Sequence, residues 1–492
     1  MNLNLTDYKD RLHACWIGKN IGGTMGAPYE GKRDMQDIQG FSTKSGKVLP
    51  NDDLDLQLVW LNAVERCGLR HINACVLGEF WLSFITPFWN EYGIGKNNMR
   101  RGLPPPLSGD FDNHWRDSNG AWIRTEIWAS LLPGNPDDAA LFAIEDALVD
   151  HGAGEGTLAA AFVAAMQSAA YAIRDIRACI DIALAKVPES CRIAKTVRLA
   201  IKCHEDQVPV REARDIIQKS NADIGDGWFE APSNVGYTVL GLLYGEGDFK
   251  KSMIYAINCG DDTDCTGATV GATLGILGGT AAIPADWRAH VGDDIVTLCV
   301  DKGSFMNMSV PATCNELAER VLRLVPHTLF DMDHSHHTQT DTTVLDAPED
   351  IPADLTARIL GNRHCIDRLN ALEAFSFDTE NLFMRVTTTV IDGPGIVPGG
   401  EKTLRIRFEN IIDSTGNMPY NLRFRWFLPD GFAVDGPRGT VLPHATAHNY
   451  QSTTREFTVR VGERVEAENR LVLEVAADGR PIPLYVPVML LG

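Results

Sequence analysis

Two acidic knots far apart in the chain, Asn51-Asp52-Asp53-Leu54-Asp55 and Gly260-Asp261-Asp262-Thr263-Asp264-Cys265, each abut an apolar run of helical character. Carboxylates this dense repel one another, and burying an ionised one costs several kcal/mol unless it is paired or coordinates a metal. Neither knot contains a Lys or Arg. The fold is thereby constrained to bring both knots to one cationic centre built from the two ends of a domain. Hard oxygen ligands select Mg²⁺, Mn²⁺ or Ca²⁺ over zinc. If Asp52, Asp53, Asp262 and Asp264 all ligate, their four negative charges balance two divalent cations, and a two-metal centre is a catalytic design.

A formal charge of -20 over 492 residues excludes a nucleic-acid backbone or an anionic membrane as partner, because both demand a basic face. The 11 cysteines follow no paired spacing, which fits a reducing compartment better than a disulfide framework. The first residues, Met1 to Asp7, lack a basic and then apolar signal pattern, so the expected location is the cytoplasm. The most apolar segments, Leu158 to Ile173 and Ala268 to Ile283, are dominated by Ala, Gly and Thr. They read as buried core helices and not as membrane spans.

Periodicity divides the chain. Up to about Pro326, apolar residues such as Leu54, Leu58 and Leu61 recur at helical spacing. Glycine stands at every fourth position through Gly267, Gly271 and Gly275, giving a smooth helix face that a neighbouring backbone can approach closely. His327 to Asp350 is polar and reads as a linker, with His334, His336 and His337 as linker residues and not metal ligands. A short helix is expected from Cys365 to Ala374. From about Asn381, runs such as Leu404 to Phe408, Leu422 to Phe427, Phe457 to Val461 and Leu471 to Val475 alternate apolar with polar. The expected domains are therefore an all-α unit over 1–330, a linker and connecting segment over 331–380, and a separable β-sandwich of immunoglobulin size over 381–492. The sandwich is expected to work in packing, homo-oligomerisation or carbohydrate contact. Phe80 to Trp89 reads as core, and Tyr92 to Gly109, rich in Gly and Pro, as a long loop suited to a lid.

Three motifs together carry a family resemblance. Gly26-Ala27-Pro28-Tyr29-Glu30, then Asp52-Asp53 opening a helix, then Asp262-Thr263-Asp264 followed by Gly267-Ala268-Thr269-Val270-Gly271, resemble in order and spacing the ADP-ribosylglycohydrolase family, which includes dinitrogenase reductase-activating glycohydrolase and the J1 crystallins. Ser118 to Arg124 is similar to the family's Asn-Gly segment ending in Arg, and Asp150 to Gly156 to its His-containing loop before an Ala-rich helix. The resemblance covers about residues 10 to 320 and looks like a divergent bacterial branch with an added C-terminal β-domain.

The resemblance implies an all-α bundle, a binuclear Mg²⁺ or Mn²⁺ centre and hydrolysis at an anomeric ribose carbon. It assigns Asn51, Asp52, Asp53, Asp262, Asp264 and Cys265 to the metal positions. Glu30, Asp53 and Asp264 would serve catalysis, with Glu30 as a gating or acid-base carboxylate, while Asn119, His151 and Gly152 would contact substrate. Asn51 and Cys265 stand where the family commonly has threonines. A thiol is a poor ligand for a hard ion, so Thr263, Thr266, Asp55 or water are alternative ligands. Hydrolysis of a ribosyl bond passes through an oxocarbenium-like state that needs negative charge, an activated water and help for the leaving group. The expected function is thus a metal-dependent glycohydrolase acting on an N- or O-ribosyl bond of a small-molecule sugar or ADP-ribosyl substrate. The alternatives are an O-glycosidase of a small furanoside or other carbohydrate, and a non-catalytic crystallin-like scaffold.

Overall fold

A computed structural model describes residues 5–225, 228–300, 308–332, 363–411, 419–443 and 451–492. The chain divides into two compact units. The first joins residues 1–93 and 114–371, and the second joins 94–113 and 372–492. The expected linker and its histidines fall almost wholly outside the described residues.

The first unit is helical. Its inner helices, Glu155–Ala172, Ala231–Tyr244 and Thr263–Gly278, are buried on nearly every side, as helices without a polar face must be. Caps start the shorter ones. Asn73, Asn135 and Asp248 accept backbone N–H groups that the first helical turn leaves without partners. The expected helix near Cys365 runs over His364–Asn370 and belongs to this unit.

Its central feature is an antiparallel pair, Leu5–Gly26 against Thr263–Gly278. Gly18 faces Gly271, Gly22 faces Gly267, and Gly26 faces Thr263 and Asp264. A methyl group at Gly22 would lie 2.1 Å from the Gly267 carbonyl, and one at Gly271 would lie 2.1 Å from the Gly18 oxygen. Glycine is what lets the two backbones meet. The same pairing sets the end of the first helix, and Glu30 just beyond its Ala27–Tyr29 turn, beside the start of the second.

In the second unit, residues 372–492 supply β1 (Ser376–Glu380), β2 (Met384–Val390), β3 (Glu401–Asn410), β4 (Tyr420–Phe427), β5 (Ala433–Asp435), β6 (Gly439–Leu442), β7 (Gln451–Arg460), β8 (Glu468–Ala477) and β9 (Leu484–Leu491). They form two antiparallel sheets of order β1-β2-β3-β7-β5 and β6-β4-β8-β9. The alternating runs deliver one apolar core: Leu404, Ile406 and Phe408 of β3 and Leu471, Leu473 and Val475 of β8 are all buried within a single cluster.

Two expectations are corrected here. Strands begin at Ser376, before residue 381. More importantly, residues 94–113 are no free lid over a pocket: they form most of the helix Asn90–Arg100 and a turn of helix at Leu107–Asp110, and Leu103 and Leu107 are buried in the strand unit's own core. The strand unit is therefore discontinuous in sequence. The aromatic stretch before it is only partly core, since Trp81 is buried while Phe88 and Trp89 are exposed.

Candidate metal centre

The two knots do meet. Each opens a helix, where backbone N–H groups face an anion and the helix dipole favours negative charge. In the first, Asn51 caps the helix Asp52–Cys67 by accepting from the Asp53 N–H at 2.8 Å. In the second, the tight turn Gly260-Asp261 places both residues at positive φ, and the Gly260 backbone presses on the carbonyls of Lys32, Arg33 and Asp34, which leaves no room for a side chain. Asp261 pairs with Lys32 through N–H to carbonyl at 2.8 Å and accepts from Asn234 Nδ2 at 2.8 Å. That clamp ties the segment following Glu30 to the residue preceding Asp262.

Two groups of ligand atoms result, each lying within 4.8 Å: Glu30, Asp262 and Asp264 in one, Asp53, Asp264 and Cys265 in the other. Asp264 belongs to both. Asp53, Asp262 and Asp264 are at most 6% exposed, and Asp53 Oδ2, Asp262 Oδ1 and Asp264 Oδ1 have no hydrogen-bond partner among the described residues. Buried orphan carboxylate oxygens are costly unless a cation takes them, so the donor set fits divalent ions. Asp52 lies outside both groups and accepts from Tyr92 Oη at 3.2 Å. Burial and mutual repulsion push the carboxyls up. Burial and then Asp52 hold Asp264 at about 6, whereas Asp264 first, then burial and Asp52, raise the exposed Glu30 to about 8.

One premise drawn from the knots fails. A lysine does serve them: Lys19, fully buried in the first helix, lies 3.8 Å from Asp53 and 3.0 Å from Glu126, and donates to the Ile123 carbonyl at 2.7 Å. Burial alone would lower its pKa, but Glu126 and Asp53 outweigh burial and hold it above the usual lysine value. Gln57 Nε2 and Gln167 Nε2 donate to Glu126 at 2.7 and 3.0 Å, completing a saturated layer beneath Asp53. Lys19 was findable, because a helix with Trp16, Ile17 and Ile21 on one side and Gly18, Gly22 and Gly26 on the other has no solvent face for a charge. Glu126, Gln57 and Gln167 carry no such local signal.

The proposed substrate contacts sit deeper than expected. Asn119 is buried, its Nδ2 donating to Asp262 Oδ2 at 2.7 Å and its Oδ1 accepting from Trp122 Nε1 at 2.9 Å. His151 is also buried, with Nδ1 2.9 Å from Asp150 and Nε2 3.3 Å from Ser118 Oγ. Asp150 in turn is held down at about 2 against burial by Arg124 and then His151, and Arg124 is further paired with Asp146 at 3.0 Å. Gly152 turns the chain at positive φ and accepts from Thr157 Oγ1 at 2.7 Å. Of the alternative ligands, Asp55 is engaged elsewhere, accepting the N–H groups of Leu298 and Cys299. Thr263 Oγ1 donates to the Gly26 carbonyl and Thr266 Oγ1 to the Thr263 carbonyl.

The profile of the ADP-ribosylglycohydrolase family matches residues 4–325. The chain belongs to the ADP-ribosylglycohydrolase family. Among solved structures, an "ADP-ribosylglycohydrolase-related protein complex" is similar at 19% identity, covering 66% of this chain and 99% of that one with a TM-score of 0.46. The GAE domain of GGA2p from Saccharomyces cerevisiae is similar at 10% identity, covering 23% of this chain and 96% of that one with a TM-score of 0.16. Comparison with curated proteins gave no match. Among the described residues, no helix is long and apolar enough to cross a membrane. Family membership points to glycosidic-bond hydrolysis.

Proposed function

We propose that this family member is a metal-dependent glycohydrolase that cleaves a ribosyl or related furanosyl bond. The observation that carries the reading is the pair of ligand groups sharing Asp264, with orphan buried oxygens on Asp53, Asp262 and Asp264. Asp53, Asp262, Asp264 and Glu30 would hold two Mg²⁺ or Mn²⁺ ions, which supply Lewis acidity and positive charge against the sugar's hydroxyls. Glu30 is the exposed member at the rim, and in the metal-free chain repulsion from Asp264, then burial and Asp52, raise its carboxyl to about 8, a placement suited to a group that exchanges protons with substrate or water. The inner carboxylates offer negative charge to an oxocarbenium-like state. Asn119 and His151 are best read as positioning residues, the first fixing Asp262 and the second fixing the Ser118 segment. A cavity of about 450 Å³, within the range that accepts a small ligand, is lined by Arg33, Lys219, Asn221, Glu230, Tyr237 and Asp261. We assign it to the non-reacting part of the substrate. The strand-rich unit we read as a β-sandwich that does not supply the chemistry.

The test is a panel of ADP-ribosylated peptide, ADP-ribose derivatives, nucleosides and simple furanosides, assayed after metal stripping and again with Mg²⁺ or Mn²⁺. Hydrolysis of at least one substrate that returns only with metal is expected. Glu30→Gln should lower that turnover by about two orders of magnitude while leaving melting temperature nearly unchanged. Asp262→Asn should remove metal and activity together. A metal-independent rate, or full activity in Asp262→Asn, would exclude the mechanism.

A further inference from the structure

The two ligand groups are chemically unlike. Glu30, Asp262 and Asp264 offer carboxylate oxygens alone, whereas Asp53, Asp264 and Cys265 include a sulfur. Cys265 is buried, and its Sγ lies 3.3 Å from Asp53 Oδ1, so the thiol already faces the carboxylate with which it would share an ion. Asp53 and Asp264 of that group each carry an oxygen without a hydrogen-bond partner among the described residues, Asp53 Oδ2 and Asp264 Oδ1. Thiolate selects softer divalent ions than carboxylate does, while an oxygen-only set suits Mg²⁺. Lys19 also places positive charge 3.8 Å from Asp53, on the sulfur side. A weakly held hard ion would compete poorly there, and an ion that forms a stronger bond to sulfur would not.

Resting on the metal-centre reading above, we propose that the centre is asymmetric, with a hard ion such as Mg²⁺ in the Glu30–Asp262–Asp264 position and a softer first-row ion, of the Fe²⁺ to Zn²⁺ series, in the Asp53–Asp264–Cys265 position. Cys265 binds as thiolate, its proton passing to solvent as the ion enters.

Co²⁺ reports on this directly, because a thiolate ligand gives a near-ultraviolet charge-transfer band that carboxylates do not. The metal-stripped full chain, titrated with Co²⁺ in the presence of Mg²⁺, should bind one Co²⁺ with that band. Cys265→Thr and Cys265→Ser should lose the band and bind Co²⁺ at least about tenfold more weakly, a direct ligand counting for no less than its supporting shell. Their Mg²⁺ affinity should be unchanged. Two equivalent Co²⁺ ions without a band in the wild-type chain, a readout that needs no variant, would overturn the asymmetry while leaving a metal centre intact. A band that survives in both variants would place the sulfur ligand elsewhere and equally overturn it. Absence of any divalent binding, or binding unaltered by Asp264→Asn, would sink the metal-centre reading itself.

Discussion

The pairing of the first helix with Thr263–Gly278 sets the distance between Glu30 and Asp264, and Gly22→Ala attacks it directly. The added methyl would sit 2.1 Å from the carbonyl carbon and oxygen of Gly267 and 2.3 Å from the Ala268 nitrogen, where ordinary contact begins at 3.4 Å. All three atoms are backbone, so no side chain can swing aside, and the helices must separate by more than about 1 Å. Overpacking of this kind costs about 1–3 kcal/mol, and a clash confined to backbone belongs at the upper end. For a unit of this size that corresponds to a melting point lower by roughly 1–4 °C. The separation also falls just over one helical turn from Asp264, and a misplacement of about 1 Å at a reacting centre can cost about 10²-fold in rate. Gly40→Ala is the matched control, since no atom of the described residues lies within 4 Å of its added methyl. Thermal melting together with calorimetric titration of Mg²⁺ or Mn²⁺ should find Gly22→Ala both less stable and weaker in metal binding. Gly271→Ala, in the partner helix and farther from Asp264 than the Gly22 contact, should lose stability with a smaller loss of metal affinity. If Gly22→Ala melts with Gly40→Ala and binds metal as the wild type does, the glycine contact does not position the centre.

Lys19→Met leaves Glu126 and Asp53 buried without their cation, a change that typically costs about 3–5 kcal/mol; melting of the metal-free chain should fall sharply and recover in part with divalent ion, and an unchanged metal-free melt would mean that Lys19 is not charged. With Asp264 raised to about 6 and Glu30 to about 8, the metal-free folded chain holds protons that the unfolded chain, titrating near about 4, has released. Its stability should therefore fall as pH rises from about 4 to about 8, while divalent affinity rises over the upper part of that range with release of protons measurable in buffers of different ionisation enthalpy; metal binding independent of pH between 6 and 8 would contradict the shifts. A fragment of residues 372–492 lacks Leu103 and Leu107, each worth about 1.5–3 kcal/mol when buried. It should bind a hydrophobic dye and gain protection when a peptide of residues 94–113 is added, and cooperative unfolding of the fragment alone at undiminished stability would refute that dependence.

What the sequence disclosed and what it withheld follow from the range of the interactions involved. Periodicity is local, so the helical first part and the alternating strands were legible residue by residue, and Leu404, Ile406 and Phe408 went inward as their alternation requires. Dense like charge is also a local signal, and it implied the meeting of residues 53 and 264 because isolated buried carboxylates are too costly to leave apart. The capture of residues 94–113 by the strand unit left no such trace. Leu103 and Leu107 sit among glycines and prolines whose pattern is that of a loop, and the core they complete is coded hundreds of residues later. Compensation of charge is hidden from local sequence for the same reason. Neither knot contains a basic residue of its own, and the lysine that serves Asp53 comes from a different helix, Leu5–Gly26, more than thirty positions earlier in the chain. Lys19 alters the charge count on which a symmetric two-ion centre depends. Lys19, paired with Glu126 at 3.0 Å, stands 3.8 Å from Asp53 on the Cys265 side, so the two positions differ in their charged surroundings as well as in ligand softness. Neither difference is visible from the knots alone.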